Sequence, residues 1–169
     1  MRLRHAVPAD AALLHAWDQK QHVIDASGEP EANAWDWAYE IPRVLPWREL
    51  LIAEVDGRPI GFIQLIDPLE EETHYWDDCA PNLRALDIWI GEEADLGRGY
   101  GTQMMRLAID HCFAAPNVTE ILIDPLANNV RAHRFYERLG FRFIERRIFL
   151  GVDDCAVYRL DRADWRKEA

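Results

Sequence analysis

The chain has 169 residues, of which 49% are apolar, so it is long enough to bury its own core as a single domain over residues 1–169. Its 19 Lys and Arg residues stand against 30 Asp and Glu residues, which gives a formal net charge of −11. Phosphate backbones are recognised by clustered cationic side chains, so this charge disfavours a nucleic-acid partner and favours a cationic one, although an acidic surface also simply keeps a protein in solution.

The cysteines and the first residues bear on cellular location. Cys79, Cys112 and Cys155 are odd in number, widely spaced and without a CxxC pair, which is typical of reduced, buried cysteines rather than of disulfides or a zinc site. The opening MRLRHAVPADAALLHAW lacks the apolar stretch of a signal peptide, and no apolar run approaches the ~20 residues that span a bilayer. We expect a cytoplasmic protein without a membrane partner.

The chain opens with the pattern of a strand followed by a helix. RLRHAV alternates like a short strand, and ADAALLHAWDQ places Leu13, Leu14 and Trp17 on one helical face after Pro8. Prolines then interrupt regular structure over residues 20–48, where we expect short helices and loops. The aromatic residues and prolines of that segment are Pro30, Trp35, Trp37, Tyr39, Pro42, Pro46 and Trp47.

A hairpin, a long loop and a further strand come next. LLIAEV and IGFIQLI are β-rich runs joined by DGRP, and an Asp-Gly turn predicts an antiparallel hairpin. The acidic and aromatic stretch DPLEEETHYWDDCAPN is too long for a tight turn, so it predicts an exposed loop. RALDIWIG then reads as a strand.

The remaining elements alternate between helices and strands. DLGRGYGTQMMRLAID sets three glycines before a helix that extends to about residue 115, and NNVRAHRFYERLG predicts a second helix ending at Gly140. TEILIDP, FRFIERRIFL and CAVYRL predict strands, and the crossover over residues 84–123 makes two strands parallel in a mixed, mostly antiparallel α+β sheet. The inward positions of the helix that follows the glycines are Met104, Met105, Ala108, Ile109, Cys112 and Phe113.

The glycines of LGRGYGT raise the question of a phosphate ligand. A dinucleotide fingerprint would need glycine at the third position after Gly99, where Thr102 stands, and a P-loop would need Gly-Lys-Ser/Thr. Two interpretations remain: a glycine turn whose N–H groups and helix N-terminus bind a pyrophosphate, and a plain connector without a ligand.

The chain resembles the GCN5-related N-acetyltransferase (GNAT) family, strongly over residues 84–143. The stretches that carry the resemblance are LDIWIGEEADLGRGYGTQMMRLAIDHCF and TEILIDPLANNVRAHRFYERLGF. The resemblance implies the GNAT fold and acetyl-CoA as co-substrate. The family has Gln or Arg where Leu96 stands, a position that mainly contributes its backbone N–H to the pyrophosphate, and Asn129 matches a contact to the pantetheine arm. The residues implied to bind acetyl-CoA are Ile88, Trp89, Ile90, Leu96, Gly97, Arg98, Gly99, Tyr100, Gly101, Thr102, Asn129 and Arg134.

Within that family the chain is similar to aminoglycoside 6'-N-acetyltransferases, through RALDIWIG, IDPLANNVRAHRFYERLGF, QHVID and YWDDCAP. This resemblance implies transfer of an acetyl group to the 6'-amine of a small polycationic acceptor, by a monomer or a homodimer. An acyltransferase for a siderophore hydroxylysine or a peptide amine stays open, as does a non-catalytic acyl-CoA-binding module. The presence of both Tyr136 and Asp87 favours an enzyme, because a binding module would not need both an acid for the thiolate and a carboxylate for the amine.

Acetyl transfer to an amine needs a neutral amine, a polarised thioester carbonyl and a proton for the departing thiolate. A carboxylate can bind the ammonium and relay its proton, and Asp87 is our candidate for this role. Strand alternation places Asp87 on the face opposite to Leu86 and Ile88. The resemblance implies that Asp124 faces acceptor amines and that Tyr136 protonates the thiolate. It also implies a strand bulge at residues 88–90, whose N–H groups would polarise the carbonyl. The alternatives are a structural acid for Asp87, a cap before a proline for Asp124 and packing for Tyr136.

Further acceptor-site candidates lie in QHVID and in YWDDCAP, with core packing as the alternative for Trp76 and a solvated loop as the alternative for Asp77 and Asp78. The histidines show no ligand spacing with Cys or carboxylates, so we predict no metal. The acceptor-site candidates are Asp25, Trp76, Asp77 and Asp78, and the histidines that follow His5 are His15, His22, His74, His111 and His133.

Overall fold

Helices and strands follow each other in the predicted order, with one further helix at the end, in a computed structural model that describes residues 1–27 and 35–168. Short 3₁₀ turns precede the first and fourth helices. The elements are β1 (Arg2–His5), α1 (Ala11–Asp18), α2 (Gln21–Ser27), α3 (Trp37–Glu40), β2 (Arg48–Val55), β3 (Arg58–Ile66), β4 (Leu83–Ile90), α4 (Tyr100–Ala114), β5 (Glu120–Ile123), α5 (Val130–Arg138), β6 (Arg142–Phe149), β7 (Asp153–Asp161) and α6 (Arg162–Glu168).

The strands form a mixed sheet in the order β1-β2-β3-β4-β5-β7-β6. β4 and β5 pair in parallel, with Ala85 opposite Leu122, and α4 is the crossover that connects them. β1 with β2, β5 with β7 and β6 with β7 pair antiparallel. The α+β class and the parallel βαβ unit are therefore confirmed.

The chain divides into two compact units, and the division runs through β4 and α4. The first unit draws on residues 1–65 and 87–108, and the second on residues 66–86 and 109–169. A single domain over residues 1–169 stays a prediction.

The first unit buries one face of α1 against the β2–β3 hairpin. Leu14 is 0% and Trp17 is 1% exposed, and both pack with Ile52 and Phe62. The turn residues Asp56 and Gly57 have φ of 52° and 78°, which matches the left-handed two-residue turn that Asp-Gly favours. The predicted hairpin and the predicted inward face of the first helix are confirmed.

The second unit builds its core from β4, β5, the end of β6, β7 and the loop of residues 67–82. That loop contains no helix or strand, as expected, but it is not exposed throughout. Trp76 is 4% exposed because its ring packs edge-on against Phe149 at 5.1 Å, and Glu71 is 8% exposed while it accepts the N–H of Thr73 at 2.8 Å. The prediction of an exposed loop was therefore wrong for these packed residues.

The other helices agree with the periodicity except at the chain's end. Met104, Met105, Ala108 and Ile109 of α4 are all 0% exposed, as predicted. α2 and α3 are the short helices expected over residues 20–48, of which Pro30 lies outside the described residues. α6 was not predicted, and its Trp165 donates from Nε1 to the Asp110 carboxylate at 2.8 Å, a contact 55 residues away in sequence.

The structure also bears on the predictions for the cysteines and for membrane-spanning helices. Cys112 and Cys155 are buried, Cys79 is half-buried, and all three are free thiols. Within the described ranges, no helix combines the length and the apolar character needed to cross a membrane.

Candidate active site

The loop between β4 and α4 presents glycine backbone to open space. Gly97 and Gly99 have φ of 73° and 79°, and a Cβ added at either would meet no atom within 4 Å. α4 begins at Tyr100, and Gln103 N donates back to the Gly99 carbonyl oxygen at 3.2 Å. The N–H groups of residues 100–102 precede this bond, so they lack an intrahelical partner.

An ion pair between an exposed arginine and a buried carboxylate supports the start of this loop. Asp95 is 3% exposed and accepts two hydrogen bonds from Arg58, at 2.7 and 2.9 Å, which hold the pKa of the Asp95 carboxyl below its usual value. The guanidinium of Arg98 lies 3.8 Å from the same carboxylate. Leu96 N donates to the Glu93 carbonyl oxygen at 3.0 Å, so a phosphate bound by Leu96 would have to share or break that bond.

The loop fits a diphosphate such as the one in acetyl-CoA. The free N–H groups at the start of the 15-residue helix α4 carry partial positive charge, and the absence of side chains at Gly97 and Gly99 lets an anion approach the backbone. Arg98 is exposed beside them, while Tyr100 and Gly101 are half-buried and Thr102 is exposed in the first turn. The pyrophosphate interpretation of these glycines therefore has the geometry that it needs.

The second half of β4 carries the predicted general base. Asp87 is exposed and its neighbour Leu86 is 3% exposed, as predicted, but burial does not alternate along the rest of β4, because Ala85 on the same side as Asp87 is 2% exposed. The predicted bulge stays a prediction. The residues whose main-chain N–H groups are expected to face a thioester carbonyl are half-buried: Ile88, Trp89 and Ile90.

Helix α5 holds the predicted thiolate acid. Asn129 caps the helix, since its side-chain oxygen accepts from Ala132 N at 3.1 Å, which leaves its amide NH₂ as the group able to donate to a ligand. Tyr136 is buried, with 9% of its surface exposed, and its ring meets Phe141 edge-on at 5.8 Å. Arg134 is exposed on the same helix.

Asp124 lies directly after β5 and is bound by a loop residue. The hydroxyl of Tyr75 donates to Asp124 Oδ2 at 2.7 Å, across 49 residues of sequence. Desolvation raises the pKa of Asp124 to about 6, while the hydrogen bond from Tyr75 opposes that rise. The carboxyl group can therefore change charge near neutral pH, unlike an exposed aspartate.

The remaining acceptor-site candidates differ in exposure. Asp77 and Asp78 are exposed on the loop next to Tyr75 and Trp76, and Trp76 itself is buried in the core. Asp25 is exposed on α2, where its carboxylate accepts from Gln21 at 2.8 Å. The second unit thus brings Asp124 and the acidic loop together through Tyr75.

The sequence did not predict two contacts that hold site residues in place, the Tyr75–Asp124 hydrogen bond and the Arg58–Asp95 ion pair. Both join residues more than 30 positions apart, and neither belongs to a local motif. As for metals, the residues that the structure describes contain no group of three or more His, Cys, Asp or Glu side chains able to hold an ion.

The chain matches known acetyltransferases in sequence. The model of the acetyltransferase (GNAT) domain family matches residues 6–149. The aminoglycoside N(6')-acetyltransferase type 1 of Klebsiella pneumoniae is 32% identical over 145 residues, which cover 82% of this chain and 72% of that protein.

Solved structures agree with the sequence match. The aminoglycoside acetyltransferase AAC(6')-Ib in complex with coenzyme A superposes with a TM-score of 0.87 at 27% identity, covering 98% of this chain and 96% of that one. The same enzyme with coenzyme A and kanamycin gives a TM-score of 0.86 at equal identity and coverage. The glycine loop, the sheet order and these matches together show that the chain belongs to the GNAT family and is an acetyl-CoA-dependent N-acetyltransferase.

Proposed function

We propose that this enzyme transfers the acetyl group of acetyl-CoA to the 6'-amine of an aminoglycoside. The relative from Klebsiella pneumoniae is named for that reaction, and a similar solved structure contains kanamycin. The observation that carries the proposal within this chain is the placement of two carboxylates. Asp124 directly follows β5, at the carboxyl end of that strand, and Asp87 lies in the second half of the parallel strand β4, two residues beyond Ala85, which pairs with Leu122. Ligands of such sheets bind at the carboxyl ends of the strands.

The charge distribution supports a polycationic acceptor. An aminoglycoside carries several ammonium groups, and each exposed ion pair contributes only ~0.2–1 kcal/mol, so recognition requires several carboxylates acting together. Asp77 and Asp78 add two exposed carboxylates on the loop of residues 67–82, and Asp25 adds one on α2. The net charge of −11 would draw a polycation toward the protein.

The chemistry assigns one task to each of the two catalytic candidates. Acetyl-CoA supplies the acetyl group as a thioester. Asp87 takes a proton from the acceptor ammonium, and the resulting amine forms the new bond to the acetyl carbon as the carbon–sulfur bond breaks. Tyr136 gives its hydroxyl proton to the departing sulfur and regains one from the nitrogen, so that the amide, the thiol and one released proton balance the reaction.

Binding of acetyl-CoA falls to backbone donors in this proposal. The N–H groups of the first turn of α4 bind the pyrophosphate, and the Asn129 amide donates to the pantetheine arm. The N–H groups of residues 88–90 polarise the thioester carbonyl. Whether the enzyme acts as a monomer or a homodimer stays a prediction.

The test is an acetyl-CoA turnover assay that reads the free thiol, with kanamycin, ribostamycin, spermidine, hydroxylysine and a peptide amine as acceptors. We expect kanamycin and ribostamycin to be the efficient acceptors. Turnover of hydroxylysine or the peptide without any aminoglycoside turnover would replace the proposed acceptor, and no turnover of any amine would indicate a binding module.

Two matched variants locate the base in the same assay. Asp87→Asn removes the carboxylate assigned to the reacting amine, so kcat/KM for kanamycin should fall by about 10²- to 10⁴-fold. Asp77→Asn removes an exposed loop carboxylate and should change it by about threefold or less. Equal effects of the two substitutions would contradict the role of Asp87.

A further inference from the structure

We propose that Tyr75 is a positioning residue, which keeps the carboxylate of Asp124 ionised and fixed in place to receive an ammonium group of the acceptor. This inference rests on the proposed function, because it concerns how an amine acceptor is bound. The contact that carries it is the hydrogen bond of 2.7 Å from the Tyr75 hydroxyl to Asp124 Oδ2.

The ring and backbone of Tyr75 are both immobilised. The ring stacks on Phe149, with centroids 4.4 Å apart and planes 4° from parallel, and meets Trp76 edge-on at 5.8 Å. Tyr75 N donates to the buried carboxylate of Glu71 at 3.1 Å. A ring held on two sides has little rotational freedom left to lose, so its hydroxyl is directed at Asp124 before any acceptor binds.

The other charged groups around Asp124 do not replace this hydrogen bond. Arg147 favours the ionised carboxylate through space, but its guanidinium is hydrogen-bonded to Glu145 and to the Trp76 carbonyl oxygen. Asp153 opposes ionisation by repulsion. The neighbouring thiol of Cys155 stays neutral, because burial raises its pKa to about 12.

Ionisation of Asp124 decides whether it attracts an ammonium group. Burial favours the neutral acid, which has no charge to offer a cation, and the Tyr75 hydroxyl favours the carboxylate that does. Removing the hydroxyl should therefore move the protonation of Asp124 to higher pH. Acceptor binding would then weaken at a pH where the wild-type enzyme still binds well.

The experiment measures KM for kanamycin from pH 5.5 to pH 9 in the wild type, Tyr75→Phe and the control Tyr158→Phe. Tyr75→Phe keeps the ring that stacks on Phe149 and loses only the hydroxyl. We expect KM at pH 7 to rise about two- to tenfold, with the rise fading toward pH 9 and kcat changing much less. Tyr158→Phe removes a buried hydroxyl that donates to Glu137 at 3.4 Å, and its KM–pH curve should follow the wild type.

A second background separates positioning from a merely structural role. In Asp124→Asn the side chain no longer titrates, so adding Tyr75→Phe should leave the shape of the KM–pH curve unchanged. A Tyr75→Phe curve that superimposes on the wild type would overturn the proposal. An increase in KM by the same factor at every pH would also overturn it, since that is what a packing defect produces.

A readout without any acceptor keeps this inference distinct from the proposed function. Carboxyl ¹³C NMR of aspartate-labelled protein, assigned with Asp124→Asn, reports the titration of Asp124 directly. We expect Tyr75→Phe to move that titration to higher pH, and an unmoved titration would refute the role of Tyr75. Failure of the wild type to acetylate kanamycin would instead refute the proposed acceptor.

Discussion

Replacing Gly99 by glutamate tests the glycine loop as the diphosphate site. Gly99 has φ of 79°, where a side chain is strained, and no atom lies within 4 Å of an added Cβ. Gly151 in the β6–β7 turn is a matched control, because it has φ of 76° and the same open surroundings. Both substitutions add one negative charge and one strained residue, so they differ only in whether acetyl-CoA is expected there.

The size of the effect follows from this geometry. A residue with a side chain in the left-handed region costs ~1–2 kcal/mol. Since 1 kcal/mol corresponds to roughly 2–4 °C in Tm for a chain of this length, Gly99→Glu and Gly151→Glu should each lower Tm by about 2–8 °C. Acetyl-CoA at about 100 times its Kd stabilises a binding-competent protein by about 2.7 kcal/mol, or roughly 5–11 °C.

The assay is thermal denaturation across a range of acetyl-CoA concentrations. Gly151→Glu and the wild type should show the full increase in Tm, whereas Gly99→Glu should show almost none, because its carboxylate occupies the place of the pyrophosphate. If Gly99→Glu is stabilised by acetyl-CoA as strongly as Gly151→Glu, the loop is only a connector between β4 and α4.

Two further predictions concern the thiolate acid and acid stability. Tyr136→Phe should lower kcat by at least about tenfold while Kd for acetyl-CoA changes little, because the hydroxyl acts mainly in the transition state. An unchanged kcat in single-turnover kinetics would remove Tyr136 from the mechanism. Asp10→Asn should destabilise the protein by on the order of 1–3 kcal/mol at pH 7, because Arg4 donates two hydrogen bonds to the buried Asp10 carboxylate, at 2.6 and 2.8 Å, and lowers its pKa. The low pKa of Asp10 stabilises the folded state at pH values above the pKa of the unfolded chain, and this stabilisation is lost as pH falls. The difference in urea-unfolding free energy between the wild type and Asp10→Asn should therefore shrink below about pH 4. A constant difference down to about pH 2 would contradict the pairing.

The predictable part of the fold came from local patterns. Helical spacing identified the buried face of α4, including Met104 and Ile109, and the Asp56–Gly57 pair identified the hairpin turn. These signals work because each element's periodicity reflects which of its faces is buried, and a tight turn restricts which residues fit its backbone. The glycine loop was visible for the same local reason.

The unpredicted part depends on contacts between distant segments. Tyr75 reaches Asp124 because the loop of residues 67–82 packs Trp76 and Tyr75 against Phe149, and no spacing rule encodes that packing. Helix α6 has only seven residues, so its existence depends on tertiary contacts such as that of Trp165 with Asp110. Sequence patterns therefore predicted where Asp124 lies relative to β5, but not its hydrogen bond to Tyr75 of the loop.

The most direct test of the proposed reaction is to identify the product formed from kanamycin and acetyl-CoA by the purified enzyme. Mass spectrometry and two-dimensional NMR of the isolated product should show one acetyl group, bonded to the 6'-nitrogen, and its amount should equal the thiol released. Kanamycin recovered unmodified under conditions where hydroxylysine or a peptide amine is acetylated would contradict the assignment of an aminoglycoside as the acceptor.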